Sequence, residues 1–281
     1  MTFSIVAWDP DAREWGVSVA SKFLAAGAVV PWVRAGAGAV ATQAYANVTY
    51  GPRGLDLLAT MPAQAAIDSL IQSDKESEHR QVGIVDGQGR TASFTGSECF
   101  DWAGSRAGEG YTCQGNILTG PEVVNDMAAA FEQTGGDLAG RLLAAMAAGD
   151  RAGGDRRGRQ SAAMLISREG GGYLGDSDIA LDLRVDDHPT PVDELGRLLD
   201  IHRLLFPNPD DLDFLAIDGP LAVKMAAALS AAGFETSSSS YDDSLRQALF
   251  NWVGNENLEM RWSEEPQIER TVLGILLEES L

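Results

Sequence analysis

A hydroxyl nucleophile needs a base, and one residue near the start of this chain could supply both. Thr2 follows Met1 and opens the run Phe3-Ser4-Ile5-Val6-Ala7-Trp8. A small second residue permits removal of the initiator methionine. Thr2 would then carry a hydroxyl and a free α-amine, the activated pair of N-terminal threonine chemistry. The plainer alternative is an ordinary first-strand residue. Lys22 ends the second strand-like run, residues 14–21, and would lie near the chain start if the two runs pair as a hairpin. A cation there would lower the pKa of the amine below its usual value of about 8 and keep it available as a base. A solvated surface lysine is the alternative. Ser4 is a second hydroxyl, without an evident base.

Two amide-rich segments accompany this start. Thr42-Gln43-Ala44-Tyr45-Ala46-Asn47 and Tyr111-Thr112-Cys113-Gln114-Gly115-Asn116 put amides and hydroxyls where packing alone would favour apolar residues. Gln43, Asn47, Gln114 and Asn116 suit oxyanion donors or substrate clamps at strand ends, and turn-capping bonds equally well. A charged, glycine-rich loop, Gly153-Gly154-Asp155-Arg156-Arg157-Gly158-Arg159-Gln160-Ser161, precedes another strand-like run. There Arg157 could aim a guanidinium fork at a carboxylate, with Asp155, Gln160 and Ser161 beside it. Residues 182–188 alternate charged and apolar types, giving one ionic face with Arg184 and Asp186, followed by His188. If buried, that face would need partners, and a mutual network with the Arg157 loop is one expectation. A solvated loop and a solvated strand face are the alternatives. Asp155 or Asp186 with a raised pKa could also serve acid–base chemistry without Thr2.

Other chemistries find little support. His79, His188 and His202 stand far apart with no metal-type spacing, so neither a metal nor a cofactor is expected. No GxSxG elbow or Walker-type loop occurs. Gly170-Gly171-Gly172 reads as a hairpin turn. Cys113 has no histidine nearby, and with Cys99 it makes up the whole cysteine complement. Two thiols and no export-type leader point to a reducing cytoplasm. Lys and Arg number 21 against 41 Asp and Glu, a net charge of -20 that disfavours nucleic acids and anionic membranes. No run approaches the roughly 20 apolar residues of a membrane span.

The elements that must position these residues follow from hydropathy patterning. Residues 3–8 and 14–21 read as a hairpin around Asp9-Pro10-Asp11, and residues 28–34 and 38–43 continue as strands. Helices are expected from Gly51 and from Pro62 to about Ser73, then a second hairpin over residues 81–86 and 90–95. Pro121 starts a helix to about Gln133, and residues 137–148 form another. Strands are expected at 160–167 and 179–185, and an amphipathic helix at 191–206. Pro207-Asn208-Pro209-Asp210-Asp211 reads as a linker. From Pro207 to the end, four basic residues face fourteen acidic ones, with three helical stretches, the last spanning 268–277, so a separate acidic helical module is expected. The predicted fold class is α+β, two packed sheets with helices outside them, plus a small all-α domain.

Residues 2–22, 41–54, 114–123, 153–162 and 182–189, taken in order, resemble an uncharacterised bacterial family assigned to the Ntn-hydrolase-like superfamily. The resemblance implies a four-layer αββα sandwich over residues 1–206, with the reactive residue at the start of the first strand. Residues 207–281 resemble a small peptidoglycan-binding-type helical domain. Catalytic roles then fall to Thr2, Lys22, Asn47 and Asn116. Substrate contacts fall to Gln43, Gln114, Asp155, Arg157, Gln160, Ser161, Arg184, Asp186 and His188. The expected reaction is hydrolysis of a small carboxylate-bearing amide or ureido compound. A non-catalytic small-molecule binder on the same scaffold is the rival. A homodimer is the base-rate expectation.

Overall fold

The computed structural model describes residues 2–278. The chain divides into two compact units, Met1–Leu198 and Leu199–Leu281. The first unit is built on two antiparallel sheets. Alternating residues form strands β1 (Thr2–Asp9) and β2 (Glu14–Ser21), turned where the Asp9 carboxylate accepts the Asp11 and Ala12 amides. Then come β3 (Pro31–Arg34), β4 (Gly38–Ala44), helices α1 (Tyr50–Leu58) and α2 (Ala63–Gln72), and β5 (Arg80–Asp86) and β6 (Thr91–Thr95). Strands β7 (Gly104–Gly108) and β8 (Tyr111–Asn116) lead to α3 (Glu122–Gln133) and α4 (Leu138–Arg151). Strands β9 (Ser161–Ser167) and β10 (Ile179–Val185) follow, then α5 (Pro191–Leu205).

The six-stranded sheet runs β10-β9-β2-β1-β8-β7, and the four-stranded sheet runs β3-β4-β5-β6. Side chains alternate across a strand, so each sheet has two faces to bury. Val6, Val17 and Val19 of the larger sheet meet Ala39, Ala41 and Val85 of the smaller one. The Trp15 indole crosses the gap to the Asp86 carbonyl. On the opposite face of β1 and β2, Phe3 and the backbone of Gly16 pack against α4, where Gly149, Leu138 and Leu142 approach. Helices α1 and α2 cover the outer face of the smaller sheet through Leu55, Leu58, Ile67 and Leu70. Asp86 organises one end of that sheet. Its carboxylate accepts the first amide of α2 from Ala63, the amides of Gln88 and Arg90, and the Arg90 guanidinium. In the same turn Gly89 adopts φ +75 with Trp8 against its Cα, which leaves no room for a side chain.

Two local expectations change, and one strand appears where none was expected. The strand foreseen at 28–34 begins only at Pro31, because Ala25 takes φ 52 and residues 26–28 wind into a short 3₁₀ turn. Strand β7, Gly-Ser-Arg-Ala-Gly, carries no apolar alternation and is defined by pairing with β8. The helix foreseen at 268–277 splits: Gln267–Glu269 forms strand β12, paired with β11 (Phe214–Ala216), and α8 starts at Arg270 and ends at Leu276.

The second unit packs α6 (Gly219–Ala231), α7 (Asp243–Asn255) and α8 around Met225, Leu229, Leu249, Trp252 and Val272. Acidic side chains cap all three helices. Asp218 accepts the Leu221 amide, Asp242 accepts that of Leu245, and Glu269 accepts those of Thr271 and Val272. Three of this unit's carboxylates therefore sit where the helix dipole favours negative charge. No described helix is long and apolar enough to cross a membrane.

Candidate active site

Thr2 begins β1, which lies between β2 and β8 in the larger sheet. The ladder sets Thr2 directly opposite Asn116, and Ser4 opposite Gln114. Ser4 hydrogen-bonds to Gln43 of the facing sheet, so the even-numbered side chains of β1 point between the sheets, Thr2 among them. Thr2 is buried, 6% exposed, and its hydroxyl lies 3.2 Å from that of Ser21. One hydroxyl thus sits at the end of the inter-sheet layer, flanked by Asn116 on one neighbouring strand and Ser21 on the other.

Beneath it lies a buried amide network. The Ser4 hydroxyl donates to Gln43 Oε1 at 2.7 Å and accepts from Gln114 Nε2 at 2.7 Å. Gln43 Nε2 and Asn116 Nδ2 both donate to Gln81 Oε1, at 2.8 and 3.0 Å. Gln81 Nε2 in turn donates to the carbonyls of Gly115 (2.8 Å) and Gly104 (3.3 Å) and to Thr95 Oγ1 (2.9 Å). Carbonyls only accept, so these contacts fix the orientation of the Gln81 amide and, through it, that of Asn116. Gln114 fits because Gly83 faces it without a side chain; a Cβ there would stand 2.1 Å from Gln114 Oε1. Gln81 was not singled out from the sequence. The signal was its place as the third amide in register with Gln43, which only the β4–β5 pairing reveals.

The charged loop closes over the same end. Leu118 and Asp155 form an isolated antiparallel bridge, and the Arg156 amide donates to the Ile117 carbonyl. The Asp155 side chain, 2% exposed, accepts the Lys22 amide at 2.7 Å and the Arg157 amide at 2.9 Å. The Arg157 guanidinium, 47% exposed, lies 3.3 Å from the same carboxylate. On the helix side of β1 and β2 is a cavity of about 430 Å³ lined by Phe3, Ala20, Lys22, Asp150, Asp155 and Arg159, among others.

Several expected site residues are engaged elsewhere. Lys22 follows the alternation onto the helix side, opposite to the Thr2 hydroxyl, and its ammonium donates to the Arg159 carbonyl at 3.3 Å. Asn47 belongs to the turn before α1: its amide donates to Asp74 at 2.9 Å and its oxygen accepts from Thr49. Hydrogen bonds from Asn47, the Glu76 amide and Arg80 outweigh the upward push of burial and hold the Asp74 carboxyl well below the usual carboxylate range. Arg184 pairs bidentately with Asp182 on its own strand, both at 2.8 Å. The expected network between the Arg157 loop and β10 gives way to these two pairs because each arginine has a carboxylate two residues away. Asp186 is exposed and its carbonyl accepts the Ala25 amide; the Gln160 carbonyl accepts the His188 amide. His188 Nδ1 takes the Thr190 amide. Ser161 ties down the loop after β2, donating to the Phe23 carbonyl at 2.6 Å and accepting the Ala26 amide. The inter-sheet layer therefore gathers Thr2, Gln43, Gln114 and Asn116. Asp155, Arg157 and the Lys22 backbone meet at its end, and the remainder serve turns and strands.

Both cysteines are unpaired thiols, and full burial pushes the Cys113 thiol upward, away from nucleophile chemistry. Among the described residues no group of three or more His, Cys, Asp or Glu could hold a metal ion. In the second unit a cavity of about 400 Å³ is lined by Phe234, Glu235, Ser244, Gln247 and Asn251, with Gly233 and Ala248.

Two family models match the chain. One, a family of unknown function (DUF1028), covers residues 2–195, and the other, described as "Putative peptidoglycan binding domain", covers residues 205–276. No protein of curated function matches the sequence. A crystal structure of a Silicibacter pomeroyi protein bearing the first family model is similar at 31% identity and a TM-score of 0.66. That match covers 72% of this chain and 89% of the other. With residues 2–195 matched, the chain belongs to the family of unknown function DUF1028.

Proposed function

We propose that the first unit is an amidohydrolase on an Ntn-hydrolase-like αββα sandwich, with Thr2 as its nucleophile. One observation carries the reading: the Thr2 hydroxyl opens the inner face of β1, between Ser21 and Asn116, at the end of the inter-sheet layer. The reading requires Thr2 to be the first residue of the mature chain. Its amine takes the hydroxyl proton as the oxygen bonds to an amide or ureido carbonyl carbon. Asn116 Nδ2, held by Gln81, donates to the oxyanion. The C–N bond then breaks, and the ammonium returns its proton to the departing nitrogen. Water, deprotonated by the same amine, cleaves the acyl ester and restores Thr2. The part-exposed Arg157 fork holds a carboxylate on the substrate. The molecule works in the cytoplasm as a homodimer, a state that light scattering checks.

Thr2→Ala tests the reading. Hydrolysis of a panel of small N-acyl and carbamoyl acids is expected to fall at least ~10³-fold, as for loss of a nucleophile, with an unchanged circular dichroism spectrum. Undiminished turnover would rule the nucleophile out. A second reading, a binder of small carboxylates without turnover, gains from the Lys22 ammonium resting on the Arg159 carbonyl. Intact mass separates the two, since a native chain retaining Met1 cannot use the Thr2 amine.

A further inference from the structure

We infer that Asp155 is the positioning residue for the Thr2 α-amine, a role that rests on the reading of Thr2 as nucleophile. Strand β1 starts at Thr2, with β2 on one side and β8 on the other. Past that start the neighbouring chains continue as Lys22 and as Ile117–Leu118. Asp155 joins the two: its backbone bridges Leu118 and its carboxylate takes the Lys22 amide at 2.7 Å. The carboxylate therefore stands across the mouth of β1, where the amine of a chain beginning at Thr2 emerges.

The coordination of Asp155 suits that task. Its two short bonds, 2.7 and 2.9 Å, come from backbone amides of Lys22 and Arg157, which fix the carboxylate in place. The guanidinium contacts are longer, 3.3 and 3.5 Å. A carboxylate accepts at about four sites, and the looser guanidinium can yield one of them to an ammonium. Burial of this carboxylate beside the part-exposed Arg157 is costly, and an ammonium at the start of β1 compensates it. Held this way, the amine directs its nitrogen toward the hydroxyl of its own residue.

The charges around the amine are Asp155 and Arg157 on the loop, and Lys22 at the end of β2, its ammonium on Arg159. From the loop after β6 comes the Cys99 thiol, donating to the carbonyl of Arg80, whose guanidinium pairs with Asp74. The carboxylate raises the affinity of the amine for its proton and the guanidinium lowers it. The test needs no substrate. In protein with Met1 removed and ¹³C-labelled threonine, the Thr2 Cα and Cβ shifts report the amine titration. Asp155→Asn is expected to lower its midpoint by about one pH unit, a tenfold change in proton affinity. Arg157→Gln, on the exposed side, is expected to raise it and serves if the first variant does not fold. Titrations unchanged by either substitution would overturn the inference. Failure of the nucleophile reading has a different signature: Thr2→Ala would keep its amide cleavage while the amine still answered to Asp155.

Discussion

Gln81 is the hub on which the inner amide layer turns. It accepts from Gln43 and Asn116 and donates to two glycine carbonyls and Thr95. Replacing it with leucine leaves buried donors and acceptors without partners, each costing about 1–3 kcal/mol. Gln81→Leu is therefore expected to lose about 3 kcal/mol of stability in urea denaturation, well beyond an ordinary polar-to-apolar change. At this scale the sequence was informative in one way and mute in another. Gln43, Gln114 and Asn116 stood out because amides interrupted apolar strands, and Thr2 because it follows Met1 and could carry a free amine. Lys22 stood out for its place at the end of a strand near the chain start, Asn47 with the amides and Arg184 for the ionic alternation of residues 182–188, yet their side chains turn to Arg159, Asp74 and Asp182. Residue type marks a polar group; only the register says which face it takes.

At the scale of elements, the turn linking β4 to α1 depends on Asp74, which gathers Asn47, Arg80 and the Glu76 amide. Its folded carboxyl titrates well below the unfolded value of about 3.9. The contribution is therefore complete above that unfolded value and declines as pH falls through the acid range toward the folded pKa. Asp74→Asn is expected to destabilise the first unit by about 1–2 kcal/mol at pH 7, with the difference from wild type shrinking below about pH 4. Urea midpoints at pH 7 and pH 3 measure this. Strands with clean alternation, β1, β2 and β5, were legible from hydropathy. Strand β7 was not, since an edge strand of Gly, Ser and Arg owes its conformation to β8. Strand β12 was hidden inside a helical pattern because its three residues extend only through pairing with β11.

At the scale of the whole molecule, two compact units divide at Leu198, and the family matches end at 195 and restart at 205. The Pro-Asn-Pro-Asp-Asp run and the surplus of acidic residues beyond it signalled a change of module. The pairing of Arg261 with Glu269 at 3.1 Å left no such trace, since neither residue belongs to a motif. Both side chains are buried, 10% and 3% exposed, and Arg261 also donates to the Leu204 carbonyl. Removing one partner strands a buried charge at a cost of about 3–5 kcal/mol. Glu269→Ala is expected to unfold the second unit at markedly lower temperature in calorimetry while leaving the transition of the first unit in place. A single merged transition would instead mean that the units unfold together.

The proposed nucleophile is open to direct capture. Protein from its native source, treated with an acyl-activated small carboxylic acid, is expected to begin at Thr2 and to gain one acyl group there by intact mass and peptide mapping, with no gain in Thr2→Ala. A native chain that keeps Met1, or acylation indifferent to the loss of Thr2, would contradict the mechanism.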